Sequence, residues 1–211
     1  MSDNSVRRLI LILGGARSGK SAYAEALAAS VAGDRPVLYL ATATPEDEEM
    51  RVRIVAHRSS RPAHWRTLEA PLDPAGELER EPHVVDAPVV LLDCVTLLAS
   101  NLLFDGARHD SEDVDATAGE ARLERALDDL LALYRRGRFT LIVISNEVGM
   151  GIVPAYSLGR SYRDVLGRAN IRLARAADAT LLMLAGMPIE VSTLAAAWEA
   201  RRRELFPGAE T

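Results

Sequence analysis

The chain has 211 residues, a formal net charge of -5 and 48% hydrophobic residues, enough for one globular domain with a sizeable core. The mildly acidic balance argues against a protein that coats nucleic acid, because phosphate binding needs a concentrated basic footprint. The single cysteine, Cys94, excludes an intramolecular disulfide, and no apolar run reaches the roughly 18 residues of a membrane span. A soluble cytoplasmic protein without a signal segment is therefore expected.

Short continuous apolar runs recur along the chain and predict strands buried on both faces of a parallel sheet. These predicted strands are Arg8–Leu13, Val37–Ala41, Pro88–Leu92, Phe139–Ser145 and Thr180–Leu184.

Stretches with helical spacing lie between the runs, and charged or proline-rich stretches predict loops. The predicted helices are Lys20–Val31, Pro45–Arg58, Cys94–Leu103, Val114–Arg136, Ser161–Ala177 and a surface helix in the tail Thr193–Thr211, and the predicted loops are Ser59–Pro88 and Asp105–Asp113. Alternation of strands and helices predicts an α/β fold, a mostly parallel sheet with helices on both faces. We expect one nucleotide-binding domain over residues 1–211, with residues 1–7 as an extension and 192–211 as a helical tail.

A glycine-rich segment, GGARSGKS over residues 14–21, follows the first predicted strand and opens the first helix. It fits the P-loop pattern, in which backbone N–H groups cradle phosphates, the lysine reaches the β and γ phosphates and the serine hydroxyl contacts Mg²⁺. The alternative is a glycine turn that caps an ordinary helix. Lys20 favours the P-loop, because the other 24 basic residues are arginines and a compact ammonium suits such a loop better than a planar guanidinium.

Asp93 ends the third predicted strand, where a carboxylate can hold Mg²⁺ directly or through water. Ser21 and Asp93 are accordingly the predicted metal ligands. Asp93 also fits a helix cap for Cys94–Leu103, and the two roles are compatible.

His57 ends the predicted helix Pro45–Arg58 and is followed by Arg58 and Arg61. An imidazole among guanidinium groups is suited to attack the α-phosphorus of a nucleotide, while the arginines offset phosphate charge. The alternative is an ordinary solvated histidine.

The segment NEVGMGIVP, residues 146–154, directly follows the strand Phe139–Ser145. Ligands of open parallel sheets bind beyond the carboxyl ends of strands, so this loop is either a substrate wall or a support for Glu147 near a metal. A turn whose glycines serve only backbone geometry is the alternative.

Six segments follow one another between about Leu9 and Val191: GGARSGKS, YLATA, RPAHWRT, LLDCVTLLASNLL, SNEVGMGIVP and RDVLGRANIRLARAAD. Together they resemble the bifunctional adenosylcobinamide kinase/adenosylcobinamide-phosphate guanylyltransferase family of cobalamin biosynthesis. The P-loop alone is generic, whereas RPAHWRT and NEVGMGIVP together are specific to that family.

The resemblance implies a P-loop enzyme that uses ATP or GTP with Mg²⁺ to phosphorylate the aminopropanol hydroxyl of adenosylcobinamide. GTP then gives GMP to a histidine, which falls on His57, and adenosylcobinamide phosphate takes the GMP to form adenosylcobinamide-GDP. His57 and Lys20 are the implied catalytic residues, and the family tends to form homo-oligomers. The implied nucleotide contacts are Gly14, Gly15, Ala16, Arg17, Ser18, Gly19, Lys20, Ser21, Leu40, Ala41, Thr42, Arg58, Ser59, Ser60, Arg61, Glu69 and Asp93.

Two other functions remain open at this point. One is a small-molecule kinase of the same fold in which His57 is structural. The other is a non-catalytic nucleotide-binding module, for which the acidic balance disfavours a DNA-bound version.

Overall fold

A computed structural model of the chain describes residues 7–44, 61–82, 87–104 and 116–206. Seven strands within these residues form one sheet. They are β1 (Leu9–Gly14), β2 (Val37–Ala41), β3 (Arg66–Glu69), β4 (Val89–Asp93), β5 (Thr140–Ile144), β6 (Ala179–Leu184) and β7 (Met187–Glu190).

The strand order is β3-β2-β4-β5-β1-β6-β7, and every neighbouring pair is parallel except the hairpin β6–β7. The register aligns the carboxyl ends, because Ala41 pairs with Asp93 on one side and with Glu69 on the other. From β1 the chain crosses β5 and β4 to reach β2, so connections leave β1 and β5 in opposite directions. Ligands of open α/β sheets bind beyond the carboxyl ends of the strands at a point where the connections diverge in this way.

Six helices lie within the described ranges and connect or flank the strands. They are α1 (Lys20–Ala32), α2 (Pro74–Arg80), α3 (Val95–Phe104), α4 (Ala116–Arg136), α5 (Ser157–Ala176) and α6 (Val191–Leu205).

The two faces of the sheet carry separate cores. One face buries leucine-rich surfaces of α2 to α5 against inward residues such as Leu38 and Leu92. The other face packs α1 against Tyr39, Leu91 and Ile144. Helix α1 packs against the sheet with residues spaced four apart, all of them buried: Lys20, Ala24, Ala28 and Ala32. Because alanine has a small side chain, α1 lies close to the strands, and the same spacing turns Lys20 toward the sheet.

The fold class and the five predicted strands are confirmed. The expectation of a loop over Ser59–Pro88 is wrong where β3 and α2 form. Strand β3 has the polar sequence RTLE and shows no apolar run, but its backbone pairs with β2. Helix α2 begins with Pro74 after Asp73, whose side chain accepts a hydrogen bond from Gly76 N at 2.9 Å, as expected of a helix cap.

One other prediction changes, and two concern residues that the structure does not describe. Helix α5 begins at Ser157, four residues before its predicted start at Ser161, and the exposed strand β7 was not predicted. The predicted helix Pro45–Arg58 falls entirely outside the described residues, as does the loop Asp105–Asp113. Among the described ranges, none of the helices combines the length and apolarity needed to cross a membrane.

Candidate functional site

The P-loop backbone takes a shape that requires glycine at both ends. Gly14 has φ +155°, and a Cβ there would lie 2.6 Å from Ser18 Oγ and 2.8 Å from the carbonyl oxygen of Met183. Gly19 has φ +92°, and its Cβ would approach the Cα of Gly186 at 3.2 Å. A side chain at Gly14 would therefore collide with the loop and with β6, and one at Gly19 would be strained.

The loop closes on itself and is attached to the turn after β6. Ser18 N donates to the Gly15 carbonyl at 3.3 Å, and Gly186 N donates to the Ser18 carbonyl at 3.0 Å. Gly15, Ala16 and Arg17 at its tip are exposed, with Arg17 at φ +57°. The predicted cradle thus has its tip in solvent and its base held by backbone hydrogen bonds, an arrangement suited to an anionic ligand.

Lys20 opens α1 and lies beneath the loop. Its residue is only 8% exposed, and Nζ donates to the Gly15 carbonyl at 2.7 Å. Burial lowers the pKa of Lys20 below its usual value, while the neighbouring Cys94 and Asp93 act in the opposite direction. Lys20 and the Asp93 carboxylate are therefore close enough to interact electrostatically.

Asp93 ends β4 and is half-buried, and its carboxylate is held by a tyrosine from the next strand. The Tyr39 hydroxyl donates to Asp93 Oδ2 at 2.6 Å. Burial, with the negative charge of Asp93 beside it, raises the pKa of Tyr39 above its usual value. The phenol therefore stays protonated and donates to the carboxylate over the physiological pH range.

Arg61, a predicted nucleotide contact, lies against this tyrosine. Its Cζ is 3.2 Å from the centroid of the Tyr39 ring, Nε is 3.5 Å from Glu25 Oε1, and an Nη atom donates to Thr67 Oγ1 at 3.2 Å. The Arg61 side chain is 8% exposed. Its guanidinium is thus engaged by three protein groups, a cation–π contact among them.

Thr42 follows β2 and ties that strand to the segment after β4. Its hydroxyl accepts from Cys94 N at 2.7 Å and donates to the Cys94 carbonyl at 2.8 Å, and the Asn101 amide donates to the Thr42 carbonyl at 2.8 Å. Burial and the charge of Asp93 raise the pKa of Cys94 to about 11, so the thiol is protonated at neutral pH. Of the other predicted contacts of this strand, Leu40 is buried and Ala41 is half-buried.

The remaining predicted contacts divide into two groups. Glu69 is exposed at the end of β3 beside Ala41, and Ser21 is half-buried in the first turn of α1. His57, Arg58, Ser59 and Ser60 lie outside the described residues.

The segment after β5 is joined to the P-loop through its backbone. Glu147 N donates to the Gly14 carbonyl at 3.2 Å, and Asn146 N donates to Thr96 Oγ1 at 2.9 Å. The Glu147 carboxylate accepts from Gly149 N at 2.7 Å and so closes its own turn. This contact favours a turn or wall over a metal-directed role for Glu147. Met150, Ile152 and Val153, which follow in the loop, are exposed.

The two predicted metal ligands, Asp93 and Ser21, suit Mg²⁺. The carboxylate of Asp93 and the hydroxyl of Ser21 are hard oxygen ligands, and Mg²⁺ is commonly held by one or two carboxylates together with substrate phosphates. Within the described ranges no group of three or more His, Cys, Asp or Glu residues is arranged to hold a metal. One carboxylate and one hydroxyl suit a metal that is also held by the phosphates of a nucleotide.

Several polar residues that shape the carboxyl edge of the sheet were not predicted. Tyr39 and Asn101 hold Asp93 and Thr42, and on α5 Tyr162 donates to the Thr96 carbonyl at 2.9 Å while the buried Asn170 donates to the Asn146 carbonyl at 2.9 Å. The only sequence signal was a polar atom within an apolar pattern: a tyrosine in VLYLA and an asparagine in an amphipathic helix. Such a pattern indicates a buried partner but does not identify it.

The family model and the curated relatives agree on one family. Residues 10–191 match the family model described as cobinamide kinase / cobinamide phosphate guanyltransferase. The chain is 45% identical over 191 residues to the bifunctional adenosylcobalamin biosynthesis protein CobU of Salmonella typhimurium, covering 87% of this chain and 99% of that protein. It is 42% identical to CobU of Escherichia coli, with the same coverage, and 44% identical to CobP of Pseudomonas aeruginosa, covering 85% of this chain and 94% of that protein.

A solved structure with a similar backbone is the KaiC-like protein PH0186 from Pyrococcus horikoshii OT3. The TM-score is 0.47 at 13% identity, and the match covers 83% of this chain and 70% of that chain.

Proposed function

The chain belongs to the cobinamide kinase / cobinamide phosphate guanyltransferase family, and from this premise we propose how its residues divide the two reactions. It is a bifunctional enzyme of adenosylcobalamin biosynthesis that acts on cobinamide and on nucleotides. Our proposal concerns the residues, the identities of the nucleotides and the metal. The observation that supports it most is the P-loop with Lys20 beneath it and Asp93 within electrostatic reach.

In the kinase reaction, residues 14–21 bind the phosphates of ATP or GTP. Backbone N–H groups of the exposed tip surround the phosphate oxygens, and the Lys20 ammonium exchanges its bond to the Gly15 carbonyl for bonds to phosphate. Phosphoryl transfer depends mainly on positioning and charge stabilisation. Lys20 therefore supplies positive charge where the transferred phosphoryl group develops negative charge.

Ser21 and Asp93 hold Mg²⁺ in this proposal. When bound together with a nucleotide, Mg²⁺ neutralises phosphate charge and orients the phosphates. Leu40, Ala41 and Thr42 form the end of β2 beside Asp93 in this proposal and shape the site there, because the Thr42 hydroxyl is already engaged with Cys94.

In the second reaction, a ring nitrogen of His57 attacks the α-phosphorus of GTP. A P–N bond forms, the P–O bond to the β-phosphate breaks and pyrophosphate leaves. A phosphate oxygen of adenosylcobinamide phosphate then attacks the same phosphorus, breaks the P–N bond and yields adenosylcobinamide-GDP. Arg58, Ser59, Ser60, Arg61 and Glu69 contact the nucleotide, and the permanent charge of the arginines suits its phosphates. Arg61 approaches the nucleotide from a position already fixed by Tyr39 and Glu25.

The segment after β5 forms one wall for the corrinoid acceptor. Its bond to the Gly14 carbonyl keeps it next to the P-loop, and exposed apolar side chains follow at Met150 and Ile152. A large, partly apolar macrocycle is an appropriate ligand for such a wall.

We further propose that the chain is a homo-oligomer. Helix α6 buries none of its residues and exposes Leu194 and Trp198, and the preceding strand β7 exposes Met187 and Ile189. An apolar surface of this kind commonly marks a protein contact. The use of nucleoside triphosphates as substrates supports a cytoplasmic location.

A mass measurement tests the histidine assignment. The purified protein incubated with GTP and Mg²⁺ should gain the mass of one GMP, and peptide mapping should place it on His57. The linkage should be acid-labile and base-stable, as a phosphoramidate is. His57→Ala should abolish the adduct and guanylyl transfer while cobinamide phosphorylation persists.

His64→Ala is the matched control, because His64 is seven residues away, is exposed and has no proposed role. It should retain the adduct and both activities. An adduct on another residue would refute the assignment to His57, and absence of any adduct would refute the covalent mechanism.

A further inference from the structure

The Tyr39 hydroxyl is the one polar side-chain group in a strand that is otherwise apolar, VLYLA. The residue is 2% exposed, and a buried hydroxyl requires a hydrogen-bond partner. Its partner is the carboxylate that ends the neighbouring strand, at 2.6 Å. The contact joins the neighbouring strands β2 and β4 diagonally, because Ala41, two residues after Tyr39, pairs with Asp93.

A neutral hydroxyl that donates to a carboxylate makes a charge-assisted hydrogen bond, which is short and strong. With Oδ2 held in this way, the Asp93 carboxyl group loses rotational freedom before any ligand arrives. A ligand oxygen that is ordered in advance costs less entropy when a metal binds. Tyr39 thus affects Asp93 without contacting a substrate.

The tyrosine ring is itself held from its other side. The Arg61 guanidinium lies 3.2 Å from the ring centroid and is held by Glu25 of α1 and Thr67 of β3. Its side chain is 8% exposed, so this cation–π contact is largely desolvated and correspondingly strong. Arg61 also follows His57 by four positions in the sequence.

We propose that Tyr39 is a positioning residue that orients the Asp93 carboxylate for the metal, and that Arg61, stacked on its ring, holds Tyr39 in place. This inference rests on the proposed function, because it takes Asp93 as a metal ligand. It goes beyond that function by assigning roles to Tyr39, Glu25 and Thr67. It also gives Arg61 a role in supporting Tyr39 and Asp93, in addition to its proposed contact with the nucleotide.

The test measures metal binding rather than turnover. Mn²⁺, a spectroscopic substitute for Mg²⁺, is titrated into the protein with a non-hydrolysable GTP analogue, and bound and unbound Mn²⁺ are separated by electron paramagnetic resonance. Tyr39→Phe keeps the ring and removes the hydroxyl, and it should weaken Mn²⁺ binding about 10-fold, as loss of an outer-shell partner typically does. Asp93→Asn should weaken it at least as much.

The double variant separates positioning from a general structural effect. In the Asp93→Asn background, Tyr39→Phe should add no further loss, because the carboxylate it orients is gone. An equal loss in both backgrounds would overturn the inference, as would wild-type Mn²⁺ affinity in Tyr39→Phe. Unchanged affinity in Asp93→Asn would overturn both the inference and the metal assignment on which it rests.

Two further variants complete the design. Tyr134→Phe is the matched control, because the Tyr134 hydroxyl also faces a carboxylate, Asp178, but at 3.4 Å and away from the carboxyl edge, and it should leave Mn²⁺ affinity unchanged. Thr67→Val removes one hydrogen-bond anchor of Arg61, keeps the side-chain shape beside Tyr39, with which Thr67 pairs, and should weaken Mn²⁺ binding about threefold. It tests the Arg61 part independently should Tyr39→Phe fold poorly, and wild-type affinity in a folded Thr67→Val would overturn that part.

Discussion

The P-loop and the Asp93 edge lie at the same end of the sheet but are built in different ways. The P-loop is shaped by backbone: two glycines with positive φ and hydrogen bonds between main-chain groups. The Asp93 edge is shaped by side chains from several elements, with Tyr39, Thr42 and Asn101 as the donors and acceptors. A local motif is therefore sufficient for the first, whereas the second exists only once distant segments have assembled.

Lys20 is the place where the backbone-built loop depends on a side chain, and its loss should have the largest effect. Lys20→Met should lower kinase activity about 100- to 1,000-fold, because it removes a preorganised charge from the transferred phosphoryl group. Steady-state cobinamide phosphorylation measures this. Arg125→Met, an exposed site on α4, is the control and should leave the rate unchanged.

Lys20→Met should lower activity but raise stability, and the gain in stability should depend on pH. Since burial lowers the pKa of Lys20, the charged form costs the folded protein free energy, and Lys20→Met should be more stable than wild type below the folded-state pKa. Between that pKa and the unfolded value of 10.5, the unfolded chain binds more protons, so wild-type stability rises with pH and the difference narrows. Urea unfolding without nucleotide across this range measures it, and a difference that grew with pH would contradict the lowered pKa.

Gly14→Ala breaks the backbone-built region directly. Its methyl group would meet Ser18 Oγ and the Met183 carbonyl, so strain and overpacking should lower the free energy of unfolding by about 2–4 kcal/mol. The control is Gly15→Ala, where a Cβ meets nothing within 4 Å. Thermal unfolding without nucleotide compares them, and equal midpoints would show that the two glycines are equivalent.

Thr42→Val breaks the side-chain-built edge. It removes the acceptor of the Cys94 N–H at a position with no exposed surface, and an unsatisfied buried donor costs about 1–3 kcal/mol. Chemical denaturation should show this loss, while Thr193→Val on the exposed face of α6 should stay within about 0.5 kcal/mol of wild type. Loss of equal size in both variants would mean that the bond to Cys94 contributes nothing specific.

Gly167→Ala replaces a glycine that, unlike Gly14, has no positive φ and no close neighbour. It lies inside α5, and a Cβ there meets nothing within 4 Å. Alanine in a helix interior should stabilise the protein by about 0.5–1 kcal/mol without changing either activity. A destabilisation measured by thermal unfolding would show a constraint on Gly167 that its surroundings do not explain.

The elements that were predicted correctly share a strong local signal. Strands β1, β2, β4, β5 and β6 are continuous apolar runs, and α4 carries a leucine pattern of helical period. The elements that were missed have no such signal: β3 is polar, β7 is exposed along its length, and α2 is a helix of 7 residues indicated only by Asp73 and Pro74. Edge strands of this kind form because a neighbour offers backbone partners, which sequence periodicity does not record.

By itself, the sequence determined the parallel α/β architecture, the P-loop and the position of Asp93 at a strand end, since each depends on residues adjacent in the chain. Only the tertiary structure decided that Tyr39 donates to Asp93, that Arg61 stacks on Tyr39 and that the Glu147 carboxylate closes its own turn. Except for the last, these contacts join residues far apart in sequence. Their partners follow from strand order and register, which bring Ala41 beside Asp93 and Glu69, and no local pattern specifies that order.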